Sequence, residues 1–334
     1  MKLLKVIAAF LALATLLPLL AACGADPLAS TEDDLRTVLT VGGMDVPYEF
    51  YRALVLSYRD REPDATAEEI RARVTDALRE VYAVFALCAE YDIDPKDSYI
   101  TEQVDLQVAE LMDQYESREA YAAALREVYM NDSVYRRLQQ RDICSDTLYY
   151  AMERAGDLPT DAGELQEIIE SDAFIRIKQI LIVGEKNVTG ADGSYFVPSE
   201  EHTDEEAVAL LTAARERFLS GADFDALVEE YGESLYMKSN TDGYYLCRGM
   251  WDTVNEEAAF ALVENEISSI VESDKGFSLF LRCEKEPDYI VAHFSDLCDD
   301  YRAARFTLAL EEKSASLTVE TTELYDSLDP LAME

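Results

Sequence analysis

Histidine, cysteine and acidic side chains perform much of the acid-base, nucleophilic and metal chemistry of proteins, but here they lack the spacing typical of such sites. The only two histidines, His202 and His293, are far apart and are expected to be solvated. Five cysteines follow Cys23 at wide intervals, without a CxxC or Cys/His cluster that would indicate zinc or thiol redox chemistry. Their pairing is not determined, although Cys88 lies on an apolar helical face and is expected in the core. The sequence therefore predicts no metal site and no cofactor.

The composition is strongly acidic. The chain has 334 residues, with 68 Asp and Glu against 29 Lys and Arg, for a formal net charge of -39. A nucleic acid is excluded as a partner because a polyanion must be neutralised by basic side chains. An anionic membrane surface is disfavoured for the same reason. The hydrophobic content of 49% is that of a folded protein, and the length suggests about two domains.

The N-terminus has the pattern of an export signal. Residues 1–22 contain two lysines, an apolar run and a small-residue end, which predicts a signal peptide. The sequence Leu-Ala-Ala-Cys ending at Cys23 resembles the lipobox of bacterial lipoproteins, which implies that Cys23 is lipidated and anchors an extracytoplasmic protein to the cell membrane. The alternative is an ordinary signal or membrane helix in which Cys23 is incidental. Residues 23–37 are small and polar, as in a tether.

Residues 38–172 are predominantly helical by pattern. A short strand, a glycine turn and a return strand at 38–46 precede a helix that opens at Pro47. From Thr66 to Tyr91, apolar residues recur every three or four positions after a Thr66/Glu69 capping box. The same period predicts helices near 100–115, 117–129, 132–153 and 160–171. These amphipathic helices form a module joined by short polar turns.

The pattern changes at Phe174. Strands are predicted at 174–183, 243–246, 267–271 and 277–283, with helices near 207–218, 224–231 and 256–262. Residues 173–285 therefore read as a compact α+β domain inserted in the helical module. Residues 286–334 contain a helix at about 293–314 and an acidic tail, expected to pack on the helical module. The overall fold class is α+β.

Five segments of the α+β domain resemble the parvulin family of peptidyl-prolyl isomerases. The flanking helices, the Thr40 to Phe50 region and the lipobox are similar to lipoprotein foldases of the PrsA and SurA type, which would make the helical part a chaperone module. The segments that carry the parvulin resemblance are Arg176–Ile182, Gly221–Tyr231, Asp242–Met250, Glu256–Leu262 with Glu266–Ser268, and Val271–Phe280.

The resemblance implies a site. The family places two histidines on neighbouring strands and a Cys or Asp beside them. The corresponding positions here are Gln179, Ser278 and, within one or two residues, Ser234. For the pocket that binds the proline ring, the resemblance points to Trp251, Asn255 and Leu246.

Two functions remain open. The first is a lipid-anchored foldase whose parvulin domain isomerises Xaa-Pro bonds in unfolded exported polypeptides. The second is a holdase or peptide-binding lipoprotein without catalysis. Replacement of both family histidines favours the second, whereas the retained glycine and Glu-Ile-Ser framework is compatible with either.

Overall fold

The computed structural model describes residues 26–185 and 202–334. The predicted signal peptide, Cys23 and the first part of the predicted tether lie outside these residues, as does most of the polar loop that follows the first strand of the α+β domain. The chain divides into two compact units. The helical unit contains described residues 26–157 and 309–334, and the sheet unit contains 158–185 and 202–308.

The helical unit begins with a hairpin and continues through five helices. Its elements up to the division are β1 (Thr37–Val41), β2 (Met44–Pro47), α1 (Tyr48–Arg61), α2 (Ala67–Glu90), α3 (Ser98–Met112), α4 (Arg118–Glu127) and α5 (Asp132–Ala155). Helix α5 packs against α2 and α3, and α1 packs against α2.

The start of α2 follows its local sequence. The Thr66 side chain accepts from Glu69 N, and the Glu69 carboxylate accepts from Thr66 N, so the predicted capping box is confirmed. Cys88 on this helix is fully buried, as expected. All five cysteines of the described residues are free thiols.

The sheet unit combines a four-stranded antiparallel sheet with helices. Its elements are α6 (Ala162–Glu170), β3 (Phe174–Ile182), α7 (Asp204–Leu219), α8 (Phe224–Tyr231), α9 (Leu235–Ser239), β4 (Tyr244–Cys247), α10 (Thr253–Phe260), β5 (Val271–Ser273), β6 (Gly276–Cys283) and α11 (Pro287–Ala292). The strand order is β4-β3-β6-β5. The strand predicted at 267–271 begins only at Val271, and Ile267 forms an isolated bridge with Leu281.

Each sheet face has its own apolar layer. Ile180 and Ile182 of β3 pack with helices α7 and α8. Ile175 and Ile177 point to the opposite face and pack with α10 and Leu246. Because successive side chains of a strand alternate between faces, the odd-numbered positions of β3 define the face that carries Gln179.

The end of the chain completes the helical unit. Helix α12 (Phe294–Ser316) crosses the division at residue 308 and is followed by β7 (Val319–Thr321) and α13 (Glu323–Ser327). Strand β7 pairs antiparallel with β1, giving a sheet of order β2-β1-β7. The α+β fold class is confirmed, and the helical module also contains this small sheet, whose third strand the sequence did not predict. Within the described residues, no helix has the length and apolarity needed to cross a bilayer.

Candidate functional site

Gln179 and Ser278 lie on one face of the central strand pair. Strands β3 and β6 are antiparallel, with Gln179 opposite Phe280 and Leu181 opposite Ser278. The Gln179 Nε2 atom donates to Ser278 Oγ at 2.9 Å. Ser278 is fully buried, whereas Gln179 is half-buried. The structure therefore brings these two predicted site residues together as a neutral hydrogen-bonded pair.

An aromatic row, defined as Tyr236, Tyr244, Trp251 and Phe280, adjoins this pair. The Trp251 ring lies 5.7 Å from Phe280 and meets Tyr244 edge-to-face at 5.0 Å. Tyr244 in turn stacks on Tyr236 at 4.6 Å. Trp251 is half-buried and Tyr236 is 48% exposed, so the row extends from the core to the surface. Such an open aromatic surface suits a proline ring or another apolar side chain.

Ser234 connects to the aromatic row through Tyr244. It is the N-cap of α9, where its hydroxyl accepts from Met237 N at 3.3 Å. Burial raises the pKa of Tyr244, and a hydrogen bond with Ser234 acts in the opposite direction. Ser234 is almost completely buried, so its hydrogen bond to Tyr244 is shielded from water.

The residue before Ser234 has a role that the sequence did not reveal. One carboxylate oxygen of the buried Glu233 accepts from Val183 N at 2.6 Å, and the other lies 3.5 Å from His202 Nε2. The Glu233 main chain also donates to Leu181 O at 2.9 Å. His202, expected to be solvated, is instead only 16% exposed at its side chain because it packs beside Glu233. This acid fastens the loop before α9 to the end of β3.

The other two predicted pocket residues are buried. Leu246 is fully buried in the apolar layer beneath Trp251, and Asn255 is 4% exposed. Asn255 donates to Asp252 from Nδ2 at 2.8 Å and from its main chain at 3.1 Å. Burial raises the pKa of Asp252, but these bonds and the charge of Lys275 outweigh it, so the net shift is downward. Among the predicted pocket residues, Trp251 is thus the one that reaches the surface.

A buried acid holds the turn that carries Trp251. Glu256 is 6% exposed, and its Oε1 atom accepts from Gly249 N at 2.6 Å and from Trp251 N at 3.3 Å. The sequence offered only its place in a family-like segment. Because both bonds go to the main chain, Glu256 fixes the path of the turn and hence the position of the indole.

The entry to β4 depends on a glycine. Gly243 has a φ of 81°, and a Cβ at this position would lie 2.6 Å from Ile177 O. A side chain here would push β4 away from β3, and with it Tyr244, which pairs with Ile177. The close approach explains why a glycine immediately precedes this strand.

Among the described residues, no group near the Gln179–Ser278 pair is arranged to hold a metal. Across residues 26–185 and 202–334, no cluster of three or more His, Cys, Asp or Glu side chains is arranged as a metal site. The predicted lipid anchor, Cys23, lies outside the described residues. The described side chains of the pair and the aromatic row offer hydrogen bonds and apolar contact.

Sequence comparisons identify relatives of this chain. The rotamase family, described as the PPIC-type PPIase domain, matches residues 194–284. A putative peptidyl-prolyl cis-trans isomerase, dodo, of Drosophila melanogaster is 37% identical over 81 residues, which are 24% of this chain and 49% of the fly protein. The match thus spans about half the length of the fly protein.

A fungal relative is matched over more of its length. The peptidyl-prolyl cis-trans isomerase pin1 of Rhizopus delemar is 31% identical over 131 residues, 39% of this chain and 81% of the fungal protein. Among solved structures, the peptidylprolyl isomerase PrsA of Bacillus anthracis is 15% identical, with a TM-score of 0.34, over 72% of this chain and 94% of the bacterial protein. On the strength of the fungal relative and the domain match, the chain belongs to the parvulin, or PPIC-type, family of peptidyl-prolyl isomerases.

Proposed function

We propose that this protein binds Xaa-Pro segments of unfolded exported polypeptides on the sheet face formed by Gln179, Ser278 and the aromatic row, and accelerates their cis-trans isomerisation. The observation that carries the proposal is the half-buried Trp251, held over Phe280 beside a neutral hydrogen-bonded pair. A proline ring can pack on the indole, which places the preceding peptide bond near polar groups.

The chemistry requires no proton transfer. Rotation about the peptide bond faces a barrier of about 18 to 20 kcal/mol because it breaks amide resonance. A site accelerates rotation by binding the twisted amide more tightly than the planar one. The amide nitrogen of Gln179 carries two hydrogens, so it can donate one to Ser278 and the other to a substrate carbonyl. Neither residue changes charge near neutral pH, so the site can act as a fixed set of dipoles.

A holdase without catalysis is the second candidate. The observation that favours it is the replacement of both family histidines by Gln179 and Ser278, together with the burial of Asn255. In this alternative, the same face grips an extended segment and slows its aggregation but leaves the peptide-bond barrier unchanged.

A protease-coupled isomerisation assay on Xaa-Pro tetrapeptides separates the two candidates. The chain from residue 26 onward should accelerate exchange, and Trp251→Ala should lower kcat/KM about tenfold or more, equivalent to about 1.4 kcal/mol. Tyr289→Ala is the matched control, because Tyr289 stacks on Tyr245 in the apolar cluster that includes Phe174. A rate equal to that of uncatalysed exchange would refute the isomerase proposal.

The single tryptophan also reports binding. If proline peptides bind at the site, titration should change the fluorescence of Trp251 whether or not exchange accelerates. A fluorescence change without acceleration, together with suppressed aggregation of an unfolded client, would establish the holdase. An unchanged signal would exclude this face as the binding site.

We further propose that Cys23 carries a lipid anchor on the outer side of the cell membrane. The support is the sequence at residues 1–23, with its apolar run and small-residue end. Acyl chains contribute about 0.8 kcal/mol per buried CH2, enough for several chains to retain an acidic protein at a membrane. In a bacterial host, the wild type should fractionate with membranes and Cys23→Ala should be released. Equal membrane retention of both would contradict the anchor.

A further inference from the structure

The end of the described chain lies on the first two helices of the helical unit. We define the tail segment as residues 322–334 and the tail cradle as the side chains that contact it from α1 and α2. Thr322 is fastened to β1 by a hydrogen bond from its Oγ1 atom to Val38 O at 2.6 Å. The residues of the tail cradle are Tyr51, Arg52, Arg59 and Arg71.

Main-chain oxygens of the tail segment receive the hydrogen bonds of the three arginines of the cradle. Arg71 Nη2 lies 2.6 Å from Leu328 O. Arg59 Nη1 contacts the carbonyl oxygens of residues 330, 331 and 333, the first two at 3.4 and 3.3 Å. Arg52 Nε contacts Glu334 O. Every peptide segment has carbonyls, so this recognition depends weakly on sequence.

Tyr325 of the tail segment contacts two side chains of the cradle. The ring of Tyr325 meets Tyr51 edge-to-face at 5.6 Å, and the Arg71 guanidinium lies 5.1 Å from its centroid. Tyrosine and arginine dominate the energetics of protein interfaces, and cation-π contact adds to apolar burial here. The cradle therefore combines a slot for one aromatic ring with donors for a main-chain turn.

The tail segment does not fill the space beside it. An open surface groove of about 620 Å³ lies between the start of α2 and residues 326–330. Its lining includes Arg71, whose Nε atom is buried without a hydrogen-bond partner among the described residues. Because this groove is open to solvent, residues 326–330 have few protein neighbours on that side, and few contacts are lost there when another segment replaces them.

Charge complementarity points to the kind of segment that would fit. Residues 322–334 contain four acidic residues and no basic residue, whereas the cradle presents three arginines. In a protein of net charge -39, such a local basic group attracts acidic ligands selectively.

We propose that the tail cradle is a second polypeptide-binding site, which takes acidic client segments containing an aromatic residue and which the tail segment occupies in cis. The inference rests on the proposed function for the identity of the clients. The cradle itself is tested with a peptide, so its failure is distinguishable from loss of isomerase activity.

The probe is a fluorescently labelled peptide with the sequence of residues 322–334, followed by anisotropy. A short connection gives the cis segment an effective concentration of about 1 mM, so a variant ending at Thr322 should bind the peptide more than about tenfold tighter than the full chain does. In the shortened background, Arg59→Ala should weaken binding about tenfold. Arg73→Ala is the matched control, because Arg73 lies on α2 but faces Glu62 and is 63% exposed.

A second variant keeps the proposal testable if the shortened chain does not fold. Tyr325→Ala in the full chain empties the aromatic slot without removing the segment, and should also raise the affinity for the peptide. A folded shortened variant that binds no better than the full chain would overturn the proposal. So would equal affinity of the folded Tyr325→Ala variant and the wild type, which would make the tail segment a structural strap only.

Discussion

The Gln179–Ser278 pair joins a half-buried amide to a fully buried hydroxyl. Two neutral groups replace the pair of titratable imidazoles that the family resemblance implies, so hydrogen bonding at these positions should not vary with pH in the physiological range. The two partners also differ in access to water. Gln179 can turn toward solvent if its partner is lost, whereas Ser278 cannot.

This asymmetry predicts unequal effects on stability. Gln179→Leu should lower the free energy of unfolding by about 1 to 3 kcal/mol because it leaves the Ser278 hydroxyl buried without this partner. Ser278→Ala should cost less than about 1 kcal/mol, since the freed amide can be hydrated. Urea unfolding of both variants and of the double variant measures the difference. A larger loss for Ser278→Ala would contradict the prediction.

A buried tyrosine predicts how the helical unit responds to alkaline pH. Burial raises the pKa of Tyr82 to about 12, while the Arg137 charge acts against it. The unfolded chain loses this proton near pH 10, so the stabilisation is complete below about pH 10 and is lost as pH rises to about 12.

The expected loss from Tyr82 is about 3 kcal/mol, because its pKa rises from 10 to about 12 on folding and a difference of one in pKa corresponds to about 1.36 kcal/mol. Stability measured against pH should therefore decline less steeply in Tyr82→Phe than in the wild type. Identical slopes in the two proteins would show that other groups control alkaline unfolding.

Some residues of the site were predictable and others were not. Gln179 and Ser278 stand in segments whose strand pattern and family resemblance place them on adjacent strands. Glu256 stood out only by its place in a family-like segment and Glu233 not at all, because an acid that accepts main-chain hydrogen bonds looks like any of the 68 acids in the sequence. Only the fold brings main-chain donors to these two carboxylates.

Helices and strands were predicted correctly where the pattern that indicates them lies within their own sequence. Helix α2 was predicted with its start because the capping box and the apolar period both lie within the segment. Strand β7 is three residues long and its partner β1 lies about 280 residues earlier, so no local pattern marks it. Helix α9 was not predicted because its five residues are too few for a helical period to repeat.

The close approach of β4 to β3 predicts an effect at Gly243. Gly243→Ala should destabilise the sheet unit by about 2 to 4 kcal/mol, because a left-handed backbone costs about 1 to 2 kcal/mol and the clash with Ile177 O adds to it. Gly221 is the matched control, because it has a φ of 98° and a Cβ added there would meet no atom within 4 Å.

Gly221→Ala should therefore cost only the backbone term of about 1 to 2 kcal/mol. Thermal or urea unfolding of the two variants provides the comparison. If both changes cost the same, the approach to Ile177 O is not a constraint on the strand.

At the scale of the whole molecule, the net charge of -39 predicts a response to salt. Like charges oppose compaction, and raising the ionic strength from about 0.01 M to about 1 M shortens the screening length from about 30 Å to about 3 Å. The Tm should rise over this range. Sodium chloride is the suitable salt, with a neutral osmolyte of equal osmolality as control, and a falling Tm would contradict the prediction.

The pairing of β1 with β7 has a consequence for biogenesis. If the exported chain emerges from its amino-terminal side, the hairpin of β1 and β2 appears before residues 319–321, and one edge of β1 stays unpaired while the sheet unit emerges. All four strands of the sheet unit are therefore present before β7 is available to complete the sheet of the helical unit. We therefore expect the sheet unit to fold first and the helical unit to be completed last, when residues 319–321 pair with β1.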